Sequence, residues 1–266
     1  MSISEDLPTD SGAPRASNGD GILLSLRKVT KTFGPVRALT DVDLDIHPGK
    51  VTALVGDNGA GKSSLIKTIS GLWAPDGGSI SWEGKEVHLH GPKDAEDLGI
   101  TTIYQDLALC DNLDIVQNMF LGHEPLEHGM LDESKMEIKA RETLKELNVV
   151  TVRSVRQLVA SLSGGQRQSV AVAKAVMSNA QLVIMDEPTA ALGVAQTTMV
   201  LELVKRLASR GVAVLMISHN LVDVFEVADR IAVLYLGRLV VEGPASDFDR
   251  QSAVEYMTTG MAARAA

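Results

Sequence analysis

The chain has 266 residues, 45% of them hydrophobic, and a formal net charge of −9. That length suits one large α/β domain or two small ones, with ample apolar material for a core. The acidic balance and an aromatic content of 3% argue against a nucleic-acid surface, and a single cysteine, Cys110, excludes an intramolecular disulfide and fits a reducing compartment.

Residues 1–21 are rich in Ser, Asp, Gly and Pro and read as a flexible leader; their acidic start lacks the apolar centre of a signal peptide. From Leu23 short strands are expected, with Leu24 and Leu26 and then Val42, Leu44 and Ile46 alternating with polar residues. Between them Lys31 to Leu39 reads as a turn, where Phe33 is either a core residue or a π face for a purine. Val51 to Val55 is a short buried strand, followed by Gly56-x-x-x-x-Gly61-Lys62-Ser63 and a helical stretch, Leu65 to Ile69, ending near Gly71. Strand, glycine loop and helix in that order form a phosphate-binding loop. Its residues Gly56, Asp57, Asn58, Gly59, Ala60, Gly61, Lys62, Ser63 and Ser64 would turn backbone N–H groups on the phosphates, with the helix dipole assisting. Lys62 would reach the outer phosphates, and the Ser63 hydroxyl would face Mg²⁺.

Pro75 to Gly78 is a turn leading into a strand from Ser79. Gly99 to Asp106 reads as a buried strand ending in polar Gln105 and Asp106, and from about 107 to 180 the periodicity is helical, with Met136, Ala140, Leu144 and Leu147 on one face. Leu162 to Gln166 opens a helix in which Ser163 and Gln166 form a capping box. Its Gly164–Gly165 pair beside a helix N-terminus is a second place suited to a phosphate. Gln181 to Met185 is a third buried strand, running into Asp186 and Glu187, and Val212 to Ile217 a fourth, ending at Ser218 and His219. Ile231 to Leu236 and Leu239 to Val241 flank a hairpin turn placed at Gly237–Arg238, and no element is assigned to the polar tail beyond. The longest apolar runs are far too short to span a bilayer, so any membrane association goes through a partner.

Polar groups follow several of these strands directly. In an open α/β sheet, ligands bind outside the carboxyl ends of the strands, which would gather Lys62, Ser63, Gln105, Asp186, Glu187 and His219 around a triphosphate. An acid after an apolar strand suits Mg²⁺, and a neighbouring carboxylate can polarise the attacking water.

This set, together with Leu162-Ser-Gly-Gly-Gln166, resembles the ATP-binding-cassette ATPases over roughly residues 23 to 245. The resemblance implies an α/β fold: a P-loop NTPase core of the RecA-like kind with a mainly parallel sheet, an N-terminal antiparallel β subdomain and an α-helical signature subdomain. The expected domain runs over 22–266, with the helical part at about 107–180. The cofactors implied are ATP and Mg²⁺, two copies sandwiching two nucleotides so that Ser163, Gly164, Gly165 and Gln166 serve the ATP held by the partner. Phe33 would then stack on adenine, Gln105 touch the metal or the water, Asp186 orient Mg²⁺, Glu187 act as general base and His219 contact the γ-phosphate. One departure is Gly193, where the family usually carries Asp.

Within that family the stretch Ile103 to Gly122 and the run Asp186 to Gly193 are similar to the monosaccharide importers of the ribose, xylose and fructose group. The likeness implies an ATPase coupled to sugar uptake, held at the cytoplasmic face of the cell membrane by permease subunits and served indirectly by a periplasmic sugar-binding protein. Leu107, Leu109, Leu113, Ile115 and Val116 would border the groove for a permease's coupling helix. The rival class is a soluble cassette ATPase of repair, translation or iron–sulfur assembly, but the chain has neither a long heptad run nor the cysteines of a zinc insertion.

Overall fold

The computed structural model describes residues 21–149 and 151–261, so the leader expected over 1–21 lies, but for Gly21, outside the described residues. The chain runs β1 (Leu24–Phe33), β2 (Val36–Ile46), β3 (Val51–Val55), α1 (Lys62–Ile69), β4 (Gly77–Trp82), β5 (Lys85–Val87), α2 (Pro92–Asp97) and β6 (Ile100–Ile103). It continues with α3 (Ile115–Phe120), β7 (Leu126–Glu127), β8 (Met130–Leu131), α4 (Glu133–Glu146) and α5 (Gly164–Met177). The last part is β9 (Leu182–Asp186), α6 (Val194–Ser209), β10 (Ala213–Ile217), α7 (Leu221–Val227), β11 (Arg230–Tyr235), β12 (Arg238–Pro244) and α8 (Arg250–Thr259).

The central sheet has the order β12-β11-β3-β10-β9-β6, parallel except for β12. β3 and β10 are buried at all five positions, as parallel strands covered on both faces must be. Alternation then sorts their side chains. Val51, Ala53 and Val55, with Val214 and Met216, join the core built on α5 and α6. Leu54, with Leu215 and Ile217, joins the core under α1 and the N-terminal sheet. That second sheet is antiparallel, β2-β1-β4-β5, and folds over the start of α1.

Three local readings are corrected. The hairpin turn is Leu236–Gly237, one residue earlier than expected, because Tyr235 pairs with Arg238; both turn residues have positive φ (45° and 78°), which glycine accepts at the second position. The polar tail is not featureless: Asp249 caps α8 through the Ser252 N–H at 2.7 Å. The 107–180 stretch is not helical throughout, since the β7–β8 hairpin interrupts it. Met136, Ala140, Leu144 and Leu147 are all buried. Arg156 ties that subdomain together, bonding Glu137 at 2.9 Å, Glu133 at 3.1 Å and Asp114, the cap of α3, at 3.4 Å. No helix among the described residues is long and apolar enough to cross a membrane.

Candidate functional site

The loop between β3 and α1 is built by close approach. A Cβ on Gly56 would lie 2.3 Å from the Leu234 carbonyl, and one on Gly61, at φ +105°, would lie 2.6 Å from the Ala38 carbonyl. Only glycine fits at either place. The loop leads into α1 with its N–H groups unpaired by any side-chain cap, an arrangement that leaves the helix end facing an anion. Lys62 is almost fully buried, and its Nζ donates to the carbonyls of Gly56 at 2.7 Å and Asp57 at 2.9 Å.

Beside this loop opens a cleft of about 650 Å³, lined on one wall by Asn58 to Ser64. Gln105 after β6, Asp186 at the end of β9 and Glu187 just beyond it form the opposite wall. The strand order explains their meeting: β3 and β9 both flank β10, and β6 pairs β9, so their carboxyl ends share one edge. Such a volume with few convergent polar groups is typical of a small-molecule site.

Burial presses on the charges at the bottom of the cleft. It pushes the Lys62 ammonium below the ordinary lysine range, against the pull of Glu187, Asp57 and Asp186. It holds the Asp186 carboxyl above the ordinary aspartate range, helped by the like charge of Glu187 and opposed by Lys62 and Lys67. Asp186 therefore sits where added positive charge is favourable. His219 Nδ1 lies 2.8 Å from Glu187 Oε1; with Glu187 ionised, the proton of that bond must sit on Nδ1, leaving Nε2 free on an exposed ring. Glu187 itself has φ +50° and donates its backbone N–H to the Ile217 carbonyl at 3.0 Å.

Other expected residues lie elsewhere. Phe33, at the end of β1, makes an edge contact with Trp73 at 4.6 Å between ring centres and does not line the cleft; Val36, its partner across the hairpin, does. Ser163 caps α5, with the Gln166 N–H at 3.4 Å from its Oγ and its own N–H donating to Gln166 Oε1 at 2.9 Å. Gln166 further donates to the Thr151 carbonyl at 2.7 Å. None of Ser163 to Gln166 lines the cleft of the same chain. Gly164 and Gly165 also have a packing role: added Cβ atoms would meet Leu192 at 2.8 Å and Met199 at 3.0 Å, so Gly164 admits the loop before α6 and Gly165 admits α6 itself. The sequence reading did not anticipate Arg37, Ala38 and the Leu236–Gly237 turn as cleft walls. The turn is held there by the Gly237 N–H on the Ala60 carbonyl at 2.8 Å.

A family model described as ABC transporter matches residues 39–190, more than half of the chain. The chain belongs to the ABC transporter family. As a cassette of this family it is an ATPase. It is 47% identical over 243 residues to the fructose import ATP-binding protein of Rhizobium meliloti, covering 89% of this chain and 94% of that protein. It is 46% identical to the xylose/arabinose import ATP-binding protein of Sulfolobus acidocaldarius, with the same shares covered. The ribose import ATP-binding protein of Roseobacter denitrificans is 41% identical, but this cassette spans only 47% of its length. Among solved structures, the ADP conformation of an ABC transporter cassette superposes with a TM-score of 0.75 at 26% identity, over 90% of this cassette and 95% of that one. A dimeric cassette with ADP and phosphate bound shares the fold, at a TM-score of 0.70 and 24% identity over 84% of this cassette and 99% of that one.

Proposed function

We propose that this cassette drives uptake of a monosaccharide of the fructose, xylose or ribose kind, as a peripheral subunit on the cytoplasmic side of membrane permeases. The observation that carries the reading is the cleft that joins the phosphate loop with Asp186 and with Glu187, which His219 bonds from outside the lining, in a chain 47% identical to a fructose import ATP-binding protein along nearly its whole length. Gene deletion should abolish uptake of one radiolabelled monosaccharide, with restoration by the wild-type gene and not by a Glu187→Gln copy. Unchanged uptake of all such sugars, with the protein recovered free of membranes, would overturn the importer reading.

In the proposed cycle two copies close head to tail on two ATP molecules. The capped end of α5 lies outside its own chain's cleft, which supports a role for it on the nucleotide held by a second copy. ATP then joins two surfaces by contacts present only in the closed state, which is how a ligand shifts a conformational equilibrium. Lys62 offsets charge on the outer phosphates. Glu187 accepts a proton from the attacking water, while His219 holds that carboxylate in place and turns Nε2 outward. Phe33, exposed at the end of β1 but outside the cleft lining, would meet the adenine only where the base extends past Val36.

The site also fits Mg²⁺. Ser63, Gln105 and Asp186 bring side-chain oxygens to one cleft, the donor type a hard cation prefers. When bound, the ion would neutralise charge between the phosphates. Because the Asp186 carboxyl is raised, protons compete for its oxygens at a higher pH than at an ordinary aspartate. The Mg²⁺ concentration for half-maximal hydrolysis should therefore rise on acidification, beginning at a higher pH than an ordinary aspartate would impose. The Asp186→Asn variant should retain only the titration of ATP itself. An identical pH profile in both proteins would contradict the placement.

A further inference from the structure

The loop carrying Glu187 is held in an unfavourable backbone conformation, and the structure shows what holds it. A non-glycine residue at φ +50° is strained and persists only where its surroundings over-determine it. Two residues on, the Thr189 hydroxyl donates to Asp223 Oδ2 at 2.6 Å. Asp223 is 5% exposed and lies in the first turn of α7, four residues beyond His219. An O–H donor on a buried carboxylate at this distance is among the strong hydrogen bonds of a protein. α7 is itself fixed: Asn220 caps it through the Val222 N–H at 3.0 Å and donates its own N–H to Ser218 Oγ at 3.0 Å. Downstream, Ala191 has φ +58°, and Leu192 packs where a Cβ on Gly164 would stand.

We propose that Thr189 and Asp223 are a positioning pair that sets the distance between Glu187 and His219. The proposal rests on the reading of Glu187 as the general base. Three bonds cross between the two loops: Glu187 N–H to the Ile217 carbonyl, His219 to Glu187, and Thr189 to Asp223. The first fixes the backbone where the loops begin. The third lies beyond the catalytic pair, so the Glu187–His219 contact is spanned from both sides. Without it the loop is free to pivot about Glu187, and the carboxylate loses its angle to water. Neither residue touches the nucleotide cleft, so ATP affinity should not depend on them.

The test is steady-state ATP hydrolysis and fluorescent-nucleotide binding on the full chain. Thr189→Val should lower kcat by about ten- to a hundredfold, the scale of a misplaced reacting group, with ATP affinity within about twofold of wild type. Thr189→Ser should recover kcat to within about threefold, and Asp223→Asn, which keeps an acceptor, should do the same. Thr189→Val leaves a buried carboxylate without its partner and can fail to fold. The double variant Thr189→Val/Asp223→Leu avoids that by making both sides apolar, and it should show the same fall in kcat. Adding Thr189→Val to Glu187→Gln should cost nothing further, since both act on one proton transfer. Wild-type kcat in the folded double variant, or an equal loss of ATP affinity, would overturn the pair. If Glu187→Gln is inactive while the Thr189 variants are fully active, only the positioning pair fails. If Glu187→Gln hydrolyses ATP at the wild-type rate, the base assignment fails instead.

Discussion

Replacing Glu187 by Gln should reduce ATP hydrolysis by about 10²–10⁴-fold, the usual contribution of a general base, while ATP binding stays within a few-fold of wild type. The side chain keeps its size, and its amide oxygen can still accept the proton of His219 Nδ1 at the 2.8 Å contact, so the cleft should keep its shape. What is lost is a carboxylate able to take a proton. Removal of its negative charge also relieves the pressure on Asp186, whose carboxyl it helps to raise. Affinity for ATP should thus stay level or improve. Closure without hydrolysis should then trap a dimer, seen as an ATP-dependent doubling of mass in sedimentation. A variant that binds ATP and turns it over at the wild-type rate would remove Glu187 from the chemistry.

The second large effect is expected at Ser163. A substitution to Ala would mix two losses, because Ser163 caps α5 and an Ala there costs about 1 kcal/mol of helix stability. Ser163→Asp separates them. Aspartate caps a helix as well as serine does, so folding should be unaffected, but it sets a carboxylate where a partner's phosphate is proposed to lie. Like charges in a closed interface cost several kcal/mol, which corresponds to a loss of roughly 10²–10³-fold in hydrolysis. Ser163→Asn, an equally good cap without the charge, should lose far less. Since Ser163 does not line its own chain's cleft, ATP binding to the dilute monomer should be the same in all three proteins. If Ser163→Asp weakened monomer binding, the serine would have to serve its own nucleotide.

Much of this was legible in the sequence because it is local. The phosphate loop declares itself through three glycines, a lysine and a serine between a five-residue apolar strand and a helix. The capping box of α5 needs only Ser163 and Gln166 three residues apart. Strand-end positions of Gln105, Asp186 and His219 follow from where apolar runs stop. The far wall of the cleft is different. Ala38 and Gly237 reach it because the antiparallel sheet folds over α1 and because the Gly237 N–H finds the Ala60 carbonyl, a pairing across 177 positions of the chain that no pattern announces. The Thr189–Asp223 bond is equally non-local, joining loops after two strands that are neighbours only in the sheet. Phe33 reads as part of a turn from Lys31 to Leu39, whereas it ends β1, and its Trp73 contact depends on the loop after α1. The turn at Leu236–Gly237 was misplaced by one residue because Gly-X and X-Gly turns look alike until the register is known. α8 was missed because its apolar residues form no clear stripe, although the Asp249–Ser252 cap is visible once sought.

One contact across two chains is decisive for the motor. A structure of Glu187→Gln with ATP should show a symmetric pair in which Ser163 Oγ and the N–H of Gly165 of one copy lie about 3 Å from the γ-phosphate oxygens of the nucleotide held by Lys62 of the other. A closed, ATP-filled assembly in which those groups face solvent, or their own chain's nucleotide, would contradict it.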